Sequence, residues 1–137
     1  MRFVIGVALL ALGAVTAGST AAQQDSTRAV ATVGEVMATM TVPASAAVFR
    51  AASEAPREEK DWTAVRGQAI VLAESGNLLL IGSRVRTGDW SRMAVALREA
   101  AETAVRSADS RNATALSDAG EQVYETCEQC HSRYLQP

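Results

Sequence analysis

The chain has 137 residues, enough for one domain, with 48% hydrophobic but only 4% aromatic residues, and 13 Lys and Arg against 15 Asp and Glu give a net charge of −2. That balance gives no basis for a nucleic-acid-binding stripe, which needs clustered Lys and Arg. A single domain with few rings also predicts a core built from small side chains.

Met1-Arg2 is a minimal positive start, Phe3 to Val15 is apolar apart from glycines, and Ala17 to Ala22 is a string of small residues before Gln23-Gln24-Asp25. This reads as a secretory signal peptide over 1–22, cleaved after Ala21 or Ala22, because the apolar run is shorter than the roughly 20 residues of a membrane span. An uncleaved anchor is the lesser reading. No cysteine follows directly, so lipid attachment is not expected. The mature domain, 23–137, keeps 12 Lys and Arg against 15 Asp and Glu, a net of −3, with no second apolar run long enough to cross a bilayer.

From Arg28 to about Ser53, Val30, Val33, Val36, Met37, Met40, Ala44, Ala47 and Val48 recur at helical spacing. Pro43 denies the Thr39 carbonyl its partner, so a kink near Thr39 to Pro43 is predicted within one element. A second helix begins near Arg57 to Asp61, with acids in its first turn. It carries Trp62, Val65, Ala69, Leu72 and Ala73, and runs through Gly76-Asn77 to the Leu78 to Ile81 cluster. Asp89 is read as the cap of a third helix bearing Trp90, Met93, Ala94, Leu97, Ala100, Ala101, Ala104, Val105 and Ala108 on its inner side. The fourth runs from about Asn112 to Tyr134, with Leu116, Ala119, Val123, Cys127, Cys130, His131 and Tyr134 facing inward. No stretch alternates as a strand would. The expected fold is all-α: an antiparallel up-down-up-down four-helix bundle of helices about 30 Å long, with a covalently bound haem near the C-terminus.

The haem expectation rests on Cys127-Glu128-Gln129-Cys130-His131. Cys-x-x-Cys-His is the attachment signature of a c-type haem, whose vinyl groups take up two thiols and whose iron takes the imidazole. Positions three apart on a helix share a face, about 5–6 Å between Cβ atoms. Cys127 and Cys130 can therefore grip one edge of the macrocycle while His131 projects over its plane. The chain's only two cysteines and its only histidine all fall in this window. The competing readings are a Cys127–Cys130 disulfide with His131 at the surface, a redox-active pair, and a structural zinc. The redox pair normally accompanies a strand-helix-strand pattern, and the zinc would need a carboxylate as fourth ligand. Bacterial c-type haem is attached after export, so motif and signal peptide give one address, the periplasm.

With that signal peptide, four helices and the motif close to the C-terminus, the chain resembles the class II c-type cytochromes, cytochrome c′ and its low-spin, Met-ligated relatives. The likeness covers the architecture of the mature chain but only Cys127, Cys130 and His131 in specific residues, with Tyr134 matching an aromatic common three positions after the histidine. The resemblance implies that the first helix supplies the group on the open side of the iron. A methionine there makes an electron carrier, and a leucine or phenylalanine leaves iron open to NO or CO. Laid on the family's pattern, Met37 takes that position as second axial ligand, with Met40 the alternative; Met93 is a weaker candidate. Core filling is the plain role for all three.

Two positions depart from the family: Leu135 stands where a base is common, and Val33 where an arginine often precedes the distal residue. Propionate partners are therefore not carried over. Arg84, Arg86 and Arg133 are the candidates, at least two of them read as ordinary surface arginines.

The leading expectation is a periplasmic mono-haem electron carrier, not an enzyme, since no acid-base pair or nucleophile stands at a recognisable spacing. Glu121, Glu125 and Glu128 read as a solvated face. The alternatives are gas binding of the cytochrome c′ kind and a haem-free, disulfide-stapled helical binding module. The redox partner is not legible, and a homodimer through the first two helices is implied by resemblance alone.

Overall fold

The computed structural model describes residues 28–135. The expected signal peptide, 1–22, lies outside them. The described chain is all-helical, with four helical rods and no strand, and no helix among the described residues is long and apolar enough to cross a membrane.

The first rod is α1 (Val33–Val36), a π-turn (Met37–Thr41) and α2 (Val42–Ser53), end to end. It starts later than Arg28 because Thr32 and Glu35 form a capping box. The Glu35 N–H donates to Thr32 Oγ1 at 3.2 Å, and the Thr32 N–H donates to Glu35 Oε2 at 2.7 Å. Val30, expected on the apolar face, is exposed. The kink expected before Pro43 takes the form of the π-turn: the Val42 N–H donates to the Met37 carbonyl, five residues back, and Pro43 falls in the first turn of α2.

Helix α3 is Glu59–Leu78, with Glu59 and Asp61 at its positive end. It runs through Gly76, as the apolar phase requires, but stops at Leu78, short of the expected Ile81. Gly76 is buried because α4 passes close by: a Cβ there would lie 3.1 Å from the Ala94 carbonyl oxygen and 3.2 Å from the Arg98 nitrogen. A short 3₁₀ turn, Gly82–Arg84, follows.

Helix α4 is Trp90–Asp109, and Met93, Ala94, Leu97, Ala100, Ala101, Ala104 and Ala108 are buried along it, as their spacing dictates. Asp89 holds the N-cap position without capping; its carboxylate takes Arg133 at 2.5 Å and Arg92 at 3.4 Å instead. Helix α5 is Ala113–Tyr134, capped by Asn112, whose side chain accepts from the Ala115 N–H at 3.0 Å.

Each rod packs on two others: α2 on α3, α3 on α4, α4 on α5, and α5 on α2. The shared core is mostly alanine, valine and leucine. Small side chains bring α2 and α5 so close that a Cβ on Gly120 would fall 2.7 Å from that of Ala52.

Candidate functional site

An apolar cavity of about 210 Å³ opens beside the last turns of α5. Its walls include Met37 from the π-turn, Trp90, Met93 and Leu97 from α4, and Cys127, Cys130 and His131 from α5. The structure thus brings together four residues singled out from sequence, although Met37 and His131 stand far apart along the chain. Met93 joins them as a second thioether; Met40 is half-buried and is not part of the cavity wall.

The α5 face turns gradually outward along its length. Leu116, Ala119 and Val123 are fully buried, Cys127, Cys130 and Tyr134 are half-buried, and His131 is exposed at the rim. The expectation that His131 faces inward therefore needs correcting: its ring borders both the cavity and a shallow groove with Tyr124, Glu128 and Ser132. The physical reason is position, because the motif occupies the final turns of α5 at the mouth of the cavity, beyond the fully buried part of that face.

Neither cysteine is in a disulfide. Burial pushes the Cys127 thiol above its ordinary range, and the neighbouring Cys130 adds to the shift. Burial also raises Cys130, against the opposing charge of Arg86. No group of three or more His, Cys, Asp and Glu side chains converges as a metal site among the described residues.

The segment between α3 and α4 forms the floor beneath the motif. Trp90 is buried and its Nε1–H donates to the Leu79 carbonyl at 2.9 Å. Tyr134 packs edge-on against Trp90, centroids 5.1 Å apart, and its hydroxyl donates to the Thr87 carbonyl at 2.7 Å.

The three arginines have different fates. Arg84 is buried, donating to the carbonyls of Ala31 and Leu78, so it is neither a surface arginine nor free for a propionate. Arg133 pairs with Asp89. Arg86 lies 5.2 Å over the Trp90 ring, with its charge felt at Cys130.

Phe49 and Tyr124, which sequence reasoning did not single out, also line the cavity, their rings edge-to-face at 6.4 Å. Tyr124 was findable, since it stands one turn before Cys127. Phe49 was not, because no local signal tells which helix its face will meet.

This wall fits the haem that the motif implies: two thiols on one helix face, an imidazole beside them, two thioethers and otherwise nearly all apolar surface. At about 210 Å³ the void is smaller than the roughly 300–1,000 Å³ of pockets that enclose drug-sized ligands. Only part of a porphyrin would be enclosed by it. No family model, curated protein or solved structure matches the chain.

Proposed function

We propose that this chain is a mono-haem c-type cytochrome resembling the class II family, exported to the periplasm, whose work is electron transfer. The observation that carries the reading is the convergence of Cys127, Cys130, His131 and Met37 on one apolar cavity. An antiparallel up-down-up-down order is supported by the connections at each end: Glu59, at the start of α3, meets Arg111 beyond the end of α4, while Asp89 before α4 meets Arg133 at the end of α5.

Cys127 and Cys130 would hold the haem covalently, each as a thioether made by adding its S–H across a vinyl group, sulfur to one carbon and hydrogen to the other, with no oxidant consumed. His131 and Met37, which both line the cavity, are the residues that would ligate its iron. When bound, haem supplies a one-electron ferric/ferrous couple. The chain's own part is to keep that couple dry and still. Leu97, Trp90 and Ala94 exclude water from the inner wall, and a methionine ligand favours the reduced state. The Trp90–Leu79 and Tyr134–Thr87 hydrogen bonds restrain the floor. Arg86 is the one of the three candidate arginines left for a propionate.

The test is a mass measurement on denatured protein, with absorption spectra of ferric and ferrous forms before and after CO. The expected result is one covalent haem, a low-spin spectrum with a sulfur-to-iron charge-transfer band, and no response to CO. A polypeptide of unmodified mass from cells competent in haem attachment defeats the reading. A high-spin spectrum that shifts with CO replaces electron transfer by gas binding.

A further inference from the structure

The buried side chains of the first rod take an irregular step. Val36 is 1% exposed and Thr41 4%, five residues later, after which Ala44 and Val48 follow at ordinary helical intervals, both fully buried. An α-helix turns roughly 100° per residue. Extended regularly back from Val48, Ala44 and Thr41, it would place Met37 on the core stripe and turn Val36 off it.

The structure has the reverse. The π-turn Met37–Thr41 inserts one residue, so Val36 takes the core position and Met37 moves to the flank, where it lines the cavity with Cys127 and His131.

Pro43 explains why the turn widens here. A π-turn normally forfeits a backbone hydrogen bond where it rejoins the α-helix. Pro43 has no N–H to offer, so the Thr39 carbonyl has no α-helical partner in any case, and the proline ring crowds that carbonyl in a regular helix. The Val42 N–H reaches Met37 O, and the Thr41 hydroxyl donates to Val36 O at 3.4 Å within the widened turn. Upstream, the Thr32–Glu35 capping box and the Arg84 bond to Ala31 O fix the start of the rod. The inserted residue is therefore expressed as rotation at Met37 and not lost in a frayed end.

We propose that Pro43, through the π-turn it permits, is the positioning residue for the methionine ligand: the inserted residue aims Met37 into the cavity and seats Val36 in the core. This rests on the haem reading above. It also makes Pro43, which touches neither cavity nor motif, a determinant of whether the iron is closed or open to small ligands.

The experiment uses the haem-loaded protein and compares wild type, Pro43→Ala, and Pro43→Ala with Ala38 deleted. Alanine at 43 restores the N–H that a regular helix needs. Pro43→Ala is expected to lose the sulfur-to-iron charge-transfer band and to bind CO when reduced. Deleting Ala38 in that background removes the inserted residue, returns Val36 to four positions before Thr41, and is expected to restore the band and abolish CO binding. A general loss of stability would not be reversed by a deletion, so the rescue separates positioning from structure.

A band unchanged in Pro43→Ala, or absent after the deletion, overturns the proposal. If Pro43→Ala does not fold, exchanging Val36→Met with Met37→Val in the native chain decides: loss of the band is expected, and its retention overturns. The mass of each denatured protein reports covalent haem independently. Wild type without haem defeats the cytochrome reading, wild type with haem but no band overturns Met37 and this proposal together, and wild type with both leaves the variants to test the proposal alone.

Discussion

At one end of the bundle the helices are joined by ion pairs in water; at the other, beside the Arg133–Asp89 ion pair, they are joined by hydrogen bonds to backbone carbonyls around a cavity. The first set is Arg66 with Asp109, and Arg111 with Glu59, all four side chains about half-exposed or more. The second is Trp90 to Leu79, Arg84 to Ala31 and Leu78, and Tyr134 to Thr87. Exposed pairs contribute about 0–1 kcal/mol each, whereas stranding a buried acceptor, as the Leu79 carbonyl under Trp90 is, costs about 1–3 kcal/mol. The difference teaches where the sequence has placed its constraints. The ion-pair end only has to close two connections, while the cavity end has to hold a cysteine helix, a tryptophan and a methionine turn in fixed relation.

The largest expected effect is the removal of both thiols. Cys127→Ala with Cys130→Ala should abolish covalent haem, read as the loss of the whole haem mass from the denatured protein. Amide exchange should then quicken at the cavity end, in the last turns of α5 and the first of α4, and stay unchanged around Arg66 and Asp109. Faster exchange at both ends alike would show that the two do not differ as described.

Next is Trp90→Phe, which keeps a ring against Tyr134 but leaves the buried Leu79 carbonyl without its donor. The expected loss is about 1–3 kcal/mol in a denaturant titration. A change no larger than that of an exposed ion pair would mean that water replaces the indole and that the cavity floor is less dry than argued.

The same contrast decides what could be read in advance. Helix α4 obeys its sequence, because an uninterrupted three-and-four spacing of Met93, Leu97 and alanines leaves only one face to bury. Cys127, Cys130 and His131 stood out in sequence by residue type and spacing alone, and the structure places all three on the wall of one cavity. The first rod was legible only in outline: Pro43 announced an irregularity, but a kink and a π-turn begin from the same missing N–H, and the choice depends on whether Val36 or Met37 fits the core. The Thr32-x-x-Glu35 box was in plain view and sets the true start. Asp89 reads as a cap by residue type, yet Arg133, distant in sequence, claims its carboxylate. Nothing local reveals that competition.

Glycines extend the comparison along the helices. A Cβ on Gly120 would lie 2.7 Å from the Ala52 Cβ, which has nowhere to turn, whereas at Gly76 the nearest atom, a backbone oxygen of α4, is 3.1 Å away. Overpacking costs about 1–3 kcal/mol, against about 1 kcal/mol that alanine returns in helix propensity. Gly120→Ala is therefore expected to destabilise by up to about 2 kcal/mol, and Gly76→Ala by less. Smaller still is Arg66→Ala at the ion-pair end, at most about 1 kcal/mol, with no change in haem spectrum.

Each end also carries a glutamate held below the ordinary carboxylate range. Glu35, at the start of the first rod, is lowered mainly by the Thr32 backbone N–H and further by its hydroxyl. Glu59 is lowered mainly by its hydrogen bond from Arg111. In both, the folded state binds its proton less readily than the unfolded state. The stability each contributes is complete above the ordinary glutamate pKa and is lost as pH falls through the lowered one. Thermal melts across the acid range should therefore show Tm falling with pH in that window, by a small amount because both carboxylates are exposed. Gln keeps the capping geometry at an N3 position, so Glu35→Gln should flatten part of the slope with little change in Tm at neutral pH. Glu59→Gln should flatten another part while weakening the Arg111 pair at every pH, because there the charge itself makes the contact. An equal neutral-pH loss in the two variants would show that Glu35 acts through its charge on the helix end and not through the capping box.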